Sequence, residues 1–142
     1  MKAVAIDLDG ALVDTRPLWD VWLESAAGVL GVRADTLPKD RGEAARELDR
    51  LGAGNWRVLL ARFAEDRAPV FLRRDAGVSA SVRALVSSGR PVAVVTDAPE
   101  ELARVALAHL GIAEVPVEVS AGDADAIRTR AELVSYASTP PS

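Results

Sequence analysis

Hydrophobic and polar positions change period twice along the chain. Residues 2–7 pass from alternation into the apolar run Val4-Ala5-Ile6, which predicts a central parallel strand. From Asp14 the spacing becomes helical. Pro17 suits a first helical turn, with Asp14 or Thr15 available as a cap. Leu18, Trp19, Trp22, Leu23, Ala26 and Leu30 follow as one stripe that Gly31 closes. Asp40 and Glu43 stand in capping-box relation before Ala44, Ala45 and Leu48, predicting a charged helix with a thin apolar face. After a glycine-rich turn over residues 51–55, Trp56, Leu59, Leu60 and Phe63 mark a third helix ending near Asp66 and Pro69. Residues 16–68 thus read as three helices without a strand.

The α/β pattern then returns. Val78, Val82, Leu85 and Val86 predict a helix stopped by Gly89, and residues 91–97 read as a second buried strand with polar Thr96 and Asp97 at its end. Pro99 opens a further helix with Leu102, Val105, Ala106 and Leu110, and residues 115–119 suit a short third strand. Beyond residue 122 two readings stand. One is a C-terminal helix with a short extended lead-in, capped by Asp123 or Asp125. The other is a vestigial strand over residues 126–129 followed by a helix over 130–137. The first is preferred, because residues 122–125 are too few for an ordinary parallel crossover. The organisation expected is an α/β core from residues 1–15 and 70–137, a helical insertion over 16–69, and a frayed tail over 138–142.

Composition narrows the partners. The 142 residues are 49% hydrophobic, enough for a packed core, and carry a net charge of −4 with no basic stripe, which argues against nucleic acid. No apolar run approaches the ~18 residues of a membrane span, and the first twenty residues carry acids where a signal peptide would be apolar. A soluble cytoplasmic protein is expected. Cysteine is absent, which excludes disulfides and thiolate chemistry. Of the 17 basic residues, 15 are arginine; the two lysines are Lys2 and Lys39.

The chemistry gathers at Asp7-Leu8-Asp9-Gly10. Two carboxylates spaced i, i+2 at the end of a buried strand lie on one side of it, where open α/β sheets place their sites. Gly10 permits a sharp turn directly after them. This Asp-Leu-Asp-Gly-Ala-Leu start, the helical insertion behind it and the apolar strand ending in Thr96 resemble the haloacid dehalogenase-like hydrolases, in the phosphatase-type subgroup whose cap follows the first motif. The pair Asp14-Thr15 and the helix end over residues 106–111 are similar to those of phosphatase members. The resemblance covers residues 2–120. It implies a Rossmann-like parallel sheet flanked by helices with a small α-helical cap, and a Mg²⁺-dependent phosphomonoester phosphatase. Asp7 is then the nucleophile that forms an aspartyl-phosphate, and Asp9 the general acid and base. Asp7 and the Asp9 carbonyl hold the metal, and Thr96 hydrogen-bonds the phosphoryl group. Gly10, Asp97 and Arg128 complete the substrate side. The partner implied is a small phosphorylated metabolite.

Two parts of the pattern are missing. The third motif of the resemblance calls for a downstream Lys or Arg, and only Arg104, His109, Arg128 and Arg130 lie beyond Thr96. The fourth calls for paired acids, and Asp123 and Asp125 do not have its spacing. The alternative is therefore a catalytically inactive relative that binds a ligand or partner; a third arrangement is a homo-oligomer donating the cation across an interface. Elsewhere the sequence predicts ordinary roles. His109 faces a helix C-terminus, the three tryptophans fill the core of the insertion, Arg73 and Arg74 are solvated, and Asp97 helps start the next helix.

Overall fold

The computed structural model describes residues 2–139. Four parallel strands, β1 (Val4–Asp7), β2 (Val92–Val95), β3 (Val117–Glu118) and β4 (Asp125–Ile127), form one sheet in the order β3-β2-β1-β4. Val4 pairs with Val92 on one side and with Asp125 on the other, so the first strand is central. Val4, Ala5 and Ile6 are all buried, as a parallel strand covered on both faces demands.

Six helices accompany the sheet: α1 (Arg16–Leu30), α2 (Arg41–Arg50), α3 (Trp56–Phe71), α4 (Ala76–Ser87), α5 (Glu100–His109) and α6 (Arg130–Ser138). Gly31 ends α1 in the left-handed conformation, and Asp40 caps α2 by accepting from the Glu43 amide at 2.9 Å. α4 packs on α6, while α5 packs on α3. Trp19, Trp22 and Trp56 are buried in sequence of contact, with ring centroids 5.3 and 6.1 Å apart, and join α1 to α3. The Trp56 indole donates to Asp49 at 2.9 Å, so its polar edge is satisfied. The apolar cluster runs without a break from these rings to Val94, Leu102 and Leu107.

Three expectations need correction. α3 does not stop near Asp66 but continues through Pro69 to Phe71. Pro69 and Glu65, whose carbonyl loses its partner, are both exposed, so water replaces that bond. Thr15 precedes α1 but makes no side-chain cap; its hydroxyl is used elsewhere, as described below. The C-terminal segment takes the strand reading. Asp125–Ile127 adds to the free side of β1, and α6 starts only after Thr129, whose side chain accepts from the Glu132 amide at 3.1 Å. The crossover rule misled because β4 lies at the opposite edge from β3. Six linking residues reach about 20 Å in extended form, and crossing three strand spacings while returning about three residues along the strands needs roughly 17 Å. The expected tail falls partly on residues 140–142, outside the described residues.

Candidate active site at the strand ends

Asp7 ends β1, and the chain then makes a wide turn over Leu8–Leu12, closed by Val13 N–H donating to the Leu8 carbonyl at 3.0 Å. Gly10 in this turn has φ +104°, and a Cβ there would lie 2.8 Å from the Arg128 carbonyl oxygen. Both the backbone conformation and the close approach therefore require glycine. Asp7, Asp9, Val95, Thr96, Asp97 and Val119 line a cleft of about 240 Å³ over the ends of β1 and β2.

Asp9 does not present a free carboxylate to this cleft. Its Oδ1 accepts from the Thr15 amide at 2.6 Å and from the Thr15 hydroxyl at 2.8 Å. Its Oδ2 accepts from Arg41. The Arg41 guanidinium, from the first turn of α2, also donates to Thr15 Oγ1 at 2.7 Å and to Asp97 Oδ1 from Nε at 3.1 Å and Nη2 at 2.7 Å. The Arg41 amide donates to Asp97 Oδ2 at 3.1 Å. With 4% of its side chain exposed, Arg41 is buried and ties the helical insertion to two strand ends at once. Burial opposes the charge of Arg41, but its bonds to Asp97 and Asp9 outweigh it and hold the guanidinium charged. Burial likewise works against the Asp97 carboxylate, and the Arg41 donors carry it below the ordinary range.

Asp7 is different. Its carboxylate takes no hydrogen bond from a described side chain, and burial pushes its pKa up. The positive charge of Arg128 works against that rise, whereas Glu132 and Asp9 add to it. Arg128 comes near Asp7 because Ile6 and Ile127 are the last pair of the ladder and these two residues directly follow them. On the other flank, Thr96 Oγ1 accepts from the Ala98 amide at 3.0 Å, which leaves its hydroxyl proton to donate into the cleft.

A crystallised hydrolase from Pseudomonas syringae superposes on 87% of this chain, at 16% identity and a TM-score of 0.54. It shares the single parallel sheet with flanking helices. The likeness is one of fold. A HAD phosphatase from Thermococcus onnurineus aligns at 23% identity over 82% of the chain, with a TM-score of 0.44. The chain spans 62% of the first protein's length and 60% of the second's. No protein-family model and no curated protein matches the sequence.

Asp7, Asp9, Thr96 and Asp97 line the cleft together, and Gly10 and the Arg128 backbone meet at its edge. Asp97 departs from its expected helix-starting role, since its carboxylate takes Arg41 and α5 has no side-chain cap. Arg130 is drawn away to Asp75 at 2.5 Å. Asp125 sits at the far end of β4, where it accepts from Lys2 and Tyr136 at 2.9 Å each, and neither Asp125 nor Asp123 is among the residues that line the cleft. His109 lies at the end of α5, its Nε2 3.0 Å from the Leu72 carbonyl and remote from the cleft.

Arg41 is the residue that the sequence reading passed over. A signal was present: positions 41, 44, 45 and 48 form an i, i+3, i+4, i+7 stripe, and all four are buried. An arginine that begins an apolar stripe needs a buried anionic partner.

The donor set does not fit a dedicated magnesium site. Magnesium asks for several oxygens in near-octahedral array, most of its protein charge coming from carboxylates. Among the described residues no three carboxylate or histidine side chains gather around one point. Asp9 and Asp97 are already engaged by Arg41, which leaves one carboxylate, Asp7, under the influence of the Arg128 charge.

Proposed function

We propose that the chain acts on a small phosphorylated metabolite at the Asp7 cleft, as a phosphomonoester hydrolase working through an aspartyl-phosphate, with residues 16–69 as its cap. The observation that carries this reading is the single unbonded carboxylate of Asp7 at the cleft, with Thr96 in the same lining and the positive charge of Arg128 near enough to act on it. A phosphoryl group spreads negative charge over its oxygens, so its transfer asks chiefly for donors and cations around an aligned nucleophile. An Asp7 oxygen attacks phosphorus, the P–O ester bond breaks and the leaving oxygen takes a proton. Water then cleaves the acyl phosphate, which returns the carboxylate and releases inorganic phosphate. Thr96 and Arg128 hold the phosphoryl oxygens meanwhile. For Asp9 to supply the proton, the Arg41 guanidinium has to leave it, and an entering phosphoryl dianion is a competitor able to take that guanidinium. Magnesium belongs to the resemblance, and no step here is routed through it.

A second reading follows from one observation. Asp9 already accepts three hydrogen bonds, and if Arg41 never releases it, the site binds phosphorylated ligands without turnover. An aryl phosphate assay on the wild-type chain and on Asp7→Asn separates the two, run once in EDTA and once with Mg²⁺. Hydrolysis by the wild type that vanishes in Asp7→Asn supports the enzyme. Equal background from both leaves only the binding protein.

A further inference from the structure

From the register of β1 against β4 we infer that the Arg128 guanidinium takes the place of a divalent metal at this site, so that a phosphoryl group binds beside Asp7 without Mg²⁺. The inference rests on the reading of the cleft as a phosphoryl site and goes beyond it in naming what supplies the charge.

Three observations converge. Ile6 and Ile127 are the last pair of the parallel ladder, and Asp7 and Arg128 are the residues that directly follow them at these strand ends. The turn after Asp7 packs against that point, since the Gly10 Cα approaches so closely that a Cβ would meet the Arg128 carbonyl oxygen at 2.8 Å. This contact fixes the backbone from which Arg128 extends. Finally, the Arg128 side chain is exposed and has no ion-pair partner among the described residues, unlike Arg130, which is spent on Asp75. Its charge is felt at Asp7, which it stabilises as the carboxylate.

The chemistry follows from these positions. A dianion entering beside an ionised Asp7 meets like charge and needs a cation on the same face. A metal dication there would have one carboxylate to hold it and a guanidinium to repel it. The guanidinium itself is permanently charged, planar and able to bind two phosphoryl oxygens in parallel. It delivers the counter-charge with no ligand set to assemble.

Inorganic phosphate is the probe, with binding to the full chain followed by titration calorimetry in EDTA and again in millimolar Mg²⁺. The affinity is expected to agree within about twofold between the two conditions. Arg128→Gln should weaken it at least tenfold, while the charge control Arg33→Gln, on an exposed residue paired with Asp35, should leave it unchanged. Asp7→Asn gives the opposite sign for the two mechanisms. With Arg128 as the cation, loss of the neighbouring negative charge raises phosphate affinity several-fold; with a metal held by Asp7, it abolishes binding. Near-UV circular dichroism confirms that each variant is folded. Phosphate binding that needs Mg²⁺, ignores Arg128→Gln and disappears in Asp7→Asn overturns the inference and leaves the phosphoryl site standing. No phosphate binding in either condition overturns both.

Discussion

Replacing Arg41 by methionine, a side chain of similar reach without charge, tests how the helical insertion is held to the strand ends. The change removes bonds to Thr15, Asp9 and Asp97 together. Asp9, with 15% of its side chain exposed, keeps its two donors from Thr15 but loses its counter-ion. Breaking a buried ion pair from one side costs about 3–5 kcal/mol. Asp97 is 44% exposed, so water recovers much of its share. A net loss of about 3 kcal/mol is expected, which in a domain of this size lowers Tm by roughly 10 °C. Asp9→Asn in the Arg41→Met background removes the stranded charge, and the double variant should regain about 2 kcal/mol relative to additivity. Urea denaturation of the wild type, both single variants and the double variant supplies the cycle. A loss below about 1 kcal/mol for Arg41→Met, or additivity of the two changes, would show that the cluster does not hold the insertion in place.

Other variants probe neighbouring features. Gly10→Ala combines a left-handed φ with a 2.8 Å encounter at the Arg128 carbonyl; a loss of about 2–3 kcal/mol is expected in thermal melts, and a change under 0.5 kcal/mol would refute the close approach. Burial raises the pKa of Asp7, so the folded state holds that proton more tightly than the unfolded chain does. Its contribution to stability therefore falls as pH rises from about the ordinary 3.8 through the raised value. Asp7→Asn should thus raise the urea midpoint at pH 7 and lose that advantage at pH 3; a destabilised variant at pH 7 would contradict this. The Arg130 guanidinium lowers Asp75 to about 2, so the stability from this pair is present above pH 3.8 and lost as pH falls towards 2. Asp75→Asn should flatten that part of the acid-unfolding curve, and an unaltered curve argues against the pair.

Much of the architecture was legible because it rests on local pattern. Val4-Ala5-Ile6 has the continuous apolar run of a strand buried on two faces, and the Trp19, Trp22 and Trp56 stripes pointed their rings where the core lies. Asp7, Gly10 and Thr96 were legible because strand ends and tight turns fix their surroundings within a few residues. Arg41 was hidden because its partners Asp9 and Asp97 lie far from it in the chain. Only the docking of α2 brings them together, and the Asp40 cap gave the helix start a sufficient local explanation. β4 was obscured for a related reason. Three residues carry little periodicity, and what makes them a strand is the vacant edge of β1, which local pattern cannot display.

The position of β1 bears on how this molecule comes into being. The strand that carries Asp7 precedes the other three strands of the sheet and is paired on both edges, yet its hydrogen-bonding partners are residues 92–95 and 125–127. It cannot be paired on one edge until residues 92–95 exist, or on the other until residues 125–127 do. Such long-range closure slows folding relative to the helices, which can form from neighbours alone. The interval leaves an apolar strand with two open edges, the kind of segment that invites association between unfinished chains. The same late pairing carries Arg128, the residue after Ile127, to the strand end next to Asp7, so the edge is covered and these two residues are brought to one end of the sheet in a single step.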